Sequence, residues 1–455
     1  MSDWDLARTK VLHVSVGPGC NNRCAFCMEY GEGLPERFTL EQIGSQLDRA
    51  QGITDGVIFT SGEPTLNPLL ADAIRAARDR GFTHIGLITN GRRLSSRELT
   101  LSLLEAGLNE VTVSLHGPTA EVHDAITRRE GAFAETVQGL ATLAELRTAH
   151  PFRLRVNCTL VRANLAHLAA LFELTSRHGV DTLNFNTVEP RGRAADDFDD
   201  VVPRYADVLQ AADESGLDFY SEAVSLSRVP PCAGGPEWIQ EDFHFTHTEE
   251  VTHFDPDEGM AKGQPCEECW LNARCHGVPD RYVEAFGWTE LRPVRPERPE
   301  DPPLRVALRG DAAPAPGQQL RSGFLEGYRR VVLTGVDPLA NEQLSGTIRL
   351  ARNLGFRHVE VETSGRSLTS SKQVEKLLAP APDRITVRLR SVEPATHDAA
   401  VGDPGAYEQS LRAAKLLARQ GAPLNLRVTL GVDRAREAET ARQLGRILNA
   451  HVTLE

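Results

Sequence analysis

Residues 330–407 can be laid over residues 56–133 at one constant offset of 274, and no other feature of the chain limits its fold as tightly. Gly81 and Gly355, Pro64 and Pro338, His84 and His358, Gly91 and Gly365, His123 and His397, Asp124 and Asp398, and Gly131 and Gly405 fall at equivalent positions. A register held that far without a gap points to an internal duplication. Within the first copy, apolar runs at Val11–Val16, Gly56–Thr60, His84–Thr89, Glu110–Gly117, Phe152–Leu160 and Asp181–Thr187 predict strands. Helical periodicity fills the gaps around Leu40–Ala50, Leu70–Asp79 and Arg97–Glu105. Strands alternating with helices imply α/β architecture with parallel βα units, whose active sites gather at the C-terminal strand ends.

A length of 455 residues suits about three domains. The boundaries read from the sequence are 1–205 for the first βα unit, 206–298 for a cysteine-rich middle region, and 299–455 for the repeat. Prolines from Pro293 through Pro303 mark a stiff linker before the repeat. No stretch approaches the roughly 18 apolar residues of a membrane span, and the first residues carry charges where a signal peptide needs an apolar segment. The sequence therefore predicts a cytoplasmic protein, with reduced thiols. A net charge of −13 argues against wrapping nucleic acid.

Three of the eight cysteines, Cys20, Cys24 and Cys27, form a CxxxCxxC run in the loop after the first predicted strand. Three thiols in eight residues can wrap one inorganic cluster but cannot all pair as disulfides. Because iron–sulfur clusters are usually held by four thiolates, this loop leaves one iron open to a small molecule. The second strand ends in Ser61-Gly62-Glu63-Pro64, where a glycine admits close backbone approach and a carboxylate faces a ligand, with an α-ammonium as natural partner. Four more cysteines, Cys232, Cys266, Cys269 and Cys275, match a fully ligated second cluster, and zinc suits the same donors. Cys158 sits mid-strand as a core residue. His244, His247 and His253 fit no standard metal spacing and read as loop residues.

The cysteine run with its aromatic Phe26 resembles the signature of the radical S-adenosylmethionine (radical SAM) superfamily, and Ser61-Gly62-Glu63-Pro64 resembles its GGEP motif, with Ser61 for the first glycine. The resemblance implies a partial (β/α)6 barrel holding a [4Fe–4S] cluster on Cys20, Cys24 and Cys27. It further implies that Gly62 and Glu63 meet the SAM amino group, and that Asn90, Ser114 and Arg128 contact its ribose and carboxylate. Reductive cleavage of SAM would then give a 5′-deoxyadenosyl radical that abstracts hydrogen from a peptide or small metabolite, with a flavodoxin or ferredoxin as reductant. Cys266–Trp288 resembles part of the SPASM and Twitch extensions, implying one auxiliary [4Fe–4S] cluster.

In the repeat, Ser61-Gly62-Glu63 becomes Gly335-Val336-Asp337, Asn90 becomes Ser364, Ser114 becomes Arg388 and Arg128 becomes Gly402, and no cysteine follows Cys275. The last unit is thus expected to be a degenerate βα domain that binds neither cluster nor SAM in this way. A chain ending near Arg298 is expected to assemble both clusters without it. The competing reading is a non-catalytic metal-binding assembly or regulatory protein, disfavoured by the ordered ligand set at the strand ends.

Overall fold

Alternate residues of each strand carry apolar side chains, and these form one buried face per sheet. The computed structural model describes residues 11–28, 35–51, 54–219, 221–235, 244–246, 251–253, 259–298, 302–308, 315–335, 337–341 and 343–455. In the first unit β1 (Val11–Ser15), β2 (Gly56–Thr60), β3 (His84–Thr89), β4 (Glu110–Ser114), β5 (Arg153–Leu160), β6 (Thr182–Thr187) and β7 (Val224–Ser227) pair in parallel, each beside the next. β8 (His244–Thr246) adds in parallel to β1, and β9 (Val251–His253) returns antiparallel to β8. His244 and His253 therefore lie on short strands, whereas their side chains and all of His247 fall outside the described residues. This open, parallel sheet with helices between its strands is the expected partial-barrel arrangement. β7 and the helix Tyr205–Glu214 belong to the first core, so that core continues beyond residue 205.

β10 (Met260–Ala261) and β11 (Val278–Pro279) form a small antiparallel pair in the middle region. The second large sheet runs β12 (Leu304–Ala307), β13 (Arg330–Thr334), β14 (His358–Thr363), β15 (Arg384–Leu389), β16 (Leu424–Val428) and β17 (His451–Leu454), all parallel and in chain order. β13 and β14 have the bounds of β2 and β3 moved by 274, as do the helices Leu344–Asn353 and Leu70–Asp79. The duplication reaches single hydrogen bonds. Asp124 accepts from the N–H groups of Gly131 and Phe133 at 2.8 and 2.7 Å, and Asp398 from those of Gly405 and Tyr407 at 2.7 and 2.8 Å. His123 Nδ1 accepts from the His116 N–H at 3.1 Å, as His397 Nδ1 does from the Arg390 N–H at 3.0 Å.

The two units share a seam. Arg321, 8% exposed, donates to both oxygens of Asp213 at 3.0 and 2.8 Å, and Arg349 pairs with Asp218. The proline-rich segment is not a free linker: Val294 is wholly buried in the second core, and the Arg295 N–H donates to the Leu325 carbonyl at 2.9 Å.

His123 is 1% exposed, and its Nε2 lacks a partner while Nδ1 accepts. Burial pushes its pKa from the usual 6.5 down to about 4. The unfolded chain thus binds a proton that the folded chain refuses between those values. Stability from this residue is complete above pH 6.5 and falls as pH drops toward 4, by on the order of 3 kcal/mol. The urea midpoint of the metal-free chain should fall across that window. His123→Asn, which keeps an acceptor without titrating, should flatten the fall, and an unchanged slope would remove His123 from the account.

Candidate active site and second cysteine site

The cysteine loop follows β1 and is pinned by backbone hydrogen bonds from three directions. Arg23 and Ala25 donate their N–H groups to the carbonyls of Thr127 and Ile126 at 3.0 and 2.9 Å. Arg193 donates its N–H to the Cys27 carbonyl and its Nη1 to the Cys24 carbonyl, both at 3.1 Å. The third anchor is the turn after β2, where the Glu63 N–H donates to the Gly19 carbonyl at 2.8 Å. Gly62 lies so close to this loop that a Cβ would sit 2.5 Å from both the Gly19 oxygen and the Pro18 carbonyl carbon. Its φ of 55° also belongs to the left-handed region. Phe26 sets its ring edge-on to His116 at 4.7 Å between centroids, fixing the loop to the end of β4. Burial, and the charge of the buried neighbour His123, hold His116 well below the usual histidine range, so this ring is neutral.

Glu63 does something the sequence did not disclose. Its carboxylate is 2% exposed and already accepts four hydrogen bonds, from the Thr65 N–H (3.0 Å), Thr65 Oγ1 (2.5 Å), Thr89 Oγ1 (2.6 Å) and the Asn90 N–H (2.6 Å). The carboxylate thereby closes the ends of β2 and β3 into one turn, a duty beside the ion pair with an α-ammonium expected from the sequence. The repeat keeps part of this duty, since Asp337 accepts from the Leu339 N–H at 3.3 Å and lies 3.5 Å from Thr363 Oγ1.

Asn90 is likewise engaged by protein. Its Nδ2 donates to Asn21 Oδ1 at 2.6 Å and its Oδ1 accepts from the Arg92 N–H at 3.1 Å, so its amide holds the cysteine loop. Arg128, expected to meet a ligand carboxylate, pairs with Asp197 at the end of the helix Ala120–Thr127. Ser114 ends β4 opposite Asn157 and stays partly accessible. Sequence reading missed Arg92, which is 8% exposed and reaches the Asn21 carbonyl at 2.7 Å, Asn22 Oδ1 at 2.9 Å and Glu135 at 2.6 Å. The repeat carries Arg366 at the equivalent position, yet Arg366 pairs with Asp403 instead.

The fit to a cluster rests on the donors. Burial, then Cys20 and Cys27, push the Cys24 thiol up to about 12, so three adjacent thiolates need a cationic centre to persist. Cys20 faces solvent and the other two are half-buried, which leaves the loop open on one side.

Cys232, Cys266, Cys269 and Cys275 line one pocket although Cys232 lies 34 positions before Cys266. Burial, then Cys275, Cys269 and Cys266, raise the Cys232 thiol, so the four sulfurs face a common space. Among the described residues no three such side chains close on a single-ion point, a closure that a cluster binding each thiolate through a different iron does not require. Cys232 packs on the first core, and Cys269 and Leu271 on the second. Cys158 is 1% exposed with its thiol raised by burial, as expected of a core residue.

Glu63→Gln should lower the melting temperature and the iron retained by the Cys20–Cys27 loop, because an amide donor would then face existing donors. Normal melting and iron content with weakened SAM binding would instead restore the direct contact.

Comparison with known proteins agrees with this layout. Residues 14–154 and 316–444 match the family model described as the radical SAM superfamily, so both copies are recognised. The chain is 29% identical over 218 residues to a GTP 3′,8-cyclase of Limosilactobacillus fermentum, covering 46% of this chain and 63% of that protein. It is 32% identical over 200 residues to the mycofactocin maturase MftC of Mycobacterium tuberculosis, covering 43% and 48%. A solved structure of Streptococcus suis SuiB bound to S-adenosylmethionine is similar at 12% identity, 63% and 76% coverage and a TM-score of 0.47. The chain spans about half to two thirds of the length of the relatives it matches. With its cysteine loop docked on the Gly62–Glu63 turn and both βα units matched, the chain belongs to the radical SAM superfamily of enzymes.

Proposed function

We propose that this enzyme cleaves SAM reductively at a cluster held by Cys20, Cys24 and Cys27 and abstracts hydrogen from a carbon of a peptide or small metabolite. The observation that carries the reading is the contact between the cysteine loop and the turn after β2, made by the Glu63 N–H and the bare Cα of Gly62. When bound, the cluster and SAM supply one-electron cleavage to methionine and a 5′-deoxyadenosyl radical. This chain's residues hold the parts in place. Gly62 admits the loop, Glu63 and Asn90 fix the turn and the loop to each other, and Arg92 clamps Asn21 and Asn22. Phe26 and neutral His116 seal the side toward β4. The partly accessible Ser114 and the Arg128–Asp197 pair are the polar groups proposed to meet SAM.

Cys232, Cys266, Cys269 and Cys275 are proposed to hold a second [4Fe–4S] cluster, with no open iron, and a reductant such as a flavodoxin or ferredoxin is proposed as electron donor. Four thiolates equally suit zinc, and acid-labile sulfide separates the two. Replacing Cys20, Cys24 and Cys27 together by alanine should abolish 5′-deoxyadenosine formation in an anaerobically reconstituted sample given SAM and reductant. Iron and sulfide should remain at the second site. Undiminished 5′-deoxyadenosine would sink the assignment, and stoichiometric zinc without sulfide would replace the second cluster.

The seam revises what shortening the chain does. Cys269 and Leu271 lean on the second core, and the Trp270 N–H donates at 2.9 Å to the carbonyl of Val294, itself buried in that core. A chain ending at Arg298 should therefore keep iron on the first loop but lose metal at the second site. Equal metal content at the second site in both lengths would show that the seam is dispensable.

A further inference from the structure

Along β14, β15 and β16 successive side chains alternate between two unlike faces. One carries Val359, Val361, Ile385, Val387, Leu426 and Val428, buried in the second core. The other carries Glu360 and Glu362, then Thr386 and Arg388, then Asn425 and Arg427, in register across the strands. At the offset of 274, Glu360, Glu362 and Arg388 replace Gly86, Ile88 and Ser114. The copy has therefore exchanged small and uncharged residues for charges on the face that in the first unit includes Ser114.

The charges are arranged around Glu362, 2% exposed as a side chain. Arg305 Nη2 lies 2.9 Å from it and Arg388 Nη1 3.5 Å, and Arg427 donates to its other oxygen. Exposure grows outward, from 21% for the Arg427 side chain through 31% for Arg388 to 48% for Arg305. Glu360 is engaged elsewhere, accepting from Thr386 Oγ1 at 2.5 Å and standing 3.7 Å from Arg427. Glu455, half-exposed, approaches Arg427 Nε at 3.4 Å. Each guanidinium offers five donors in a planar fork, so the three together exceed the roughly four acceptor sites of Glu362, the carboxylate they share. Arg388 shows the surplus among the described residues: its buried Nε has no acceptor there, and its ion pair with Glu362 is too long for a good hydrogen bond.

We propose that this face of the second unit is an oxyanion-binding site for the carboxylate or phosphate of a small ligand or substrate. Arg388 and Arg305 contact the anion, and Glu362 positions the three guanidinium groups. A buried acid that fixes several arginines leaves their forks pre-set toward the open side, so less side-chain freedom is lost on binding. Duplication thus kept the scaffold and changed its ligand class.

The test is calorimetric titration of the full-length chain with inorganic phosphate and separately with glutarate, each against sodium chloride at equal ionic strength. Saturable binding of at least one is expected, weakened tenfold or more by Arg388→Ser, which restores the first unit's residue. Arg305→Ser, the most exposed of the three, should weaken it several-fold and serves as the measure should Arg388→Ser fold poorly. Binding of phosphate alone assigns a phosphorylated ligand, and of glutarate alone a carboxylate. The proposal is overturned if neither anion binds more than chloride does, or if binding survives both substitutions unchanged.

Discussion

The site depends on the packing of one backbone against another, where the Pro18-Gly19 segment lies on Gly62 and the Gly19 carbonyl accepts from the Glu63 N–H at 2.8 Å. A side chain at Gly62 would not fit between them. The backbone of the cysteine loop is held by neighbouring strand ends: Ile126 and Thr127 after β4, Arg193 after β6, and the turn after β2. Buried polar groups make this arrangement specific because each is satisfied only in one geometry. Glu63 is the strongest example, since its four donors come from three residues on two strand ends.

Much of the fold was legible because it depends on patterns that survive duplication. The parallel strands, the βα alternation and the offset of 274 are fixed by apolar periodicity and by turns that only certain residues close. The cysteine grouping was legible too, since spacing alone singles out Cys20, Cys24 and Cys27, and elimination then leaves Cys232 with Cys266, Cys269 and Cys275. The roles of Glu63, Asn90 and Arg128 were less legible. Each stands at a strand or helix end where a ligand contact and a structural contact call for the same residue type. Spacing alone does not carry the structural contacts, which need three-dimensional partners such as Thr89, Asn21 and Asp197. Arg92 was hidden for a related reason, because the repeat preserves an arginine at that position while changing its partner.

The two units also show how a duplicated scaffold divides its conserved parts. His123 and Asp124 make the same hydrogen bonds as His397 and Asp398, so they belong to the fold and not to the chemistry. Divergence falls on the cysteine loop and on the polar strand face, the two places that no helix core dictates. The second cysteine cavity then ties the units together, for its walls draw on both cores and on the segment that links them.

Backbone strain follows the same division. Ser61 and Arg128 adopt φ values of 76° and 51°, a region that costs a non-glycine residue on the order of 1 kcal/mol. The repeat places Gly402 at the second of these positions with φ 75°, and Gly335 at the first without a left-handed backbone. The copy thus removed both strains where no cysteine loop needs support. In the first unit the strained residues flank that loop, Ser61 beside the Gly62 contact and Arg128 directly after the two carbonyls that hold Arg23 and Ala25. Arg128 meets Asp197 from this strained cap, so the turn that presents the Ile126 and Thr127 carbonyls to the cysteine loop is also tied by an ion pair to the segment after β6.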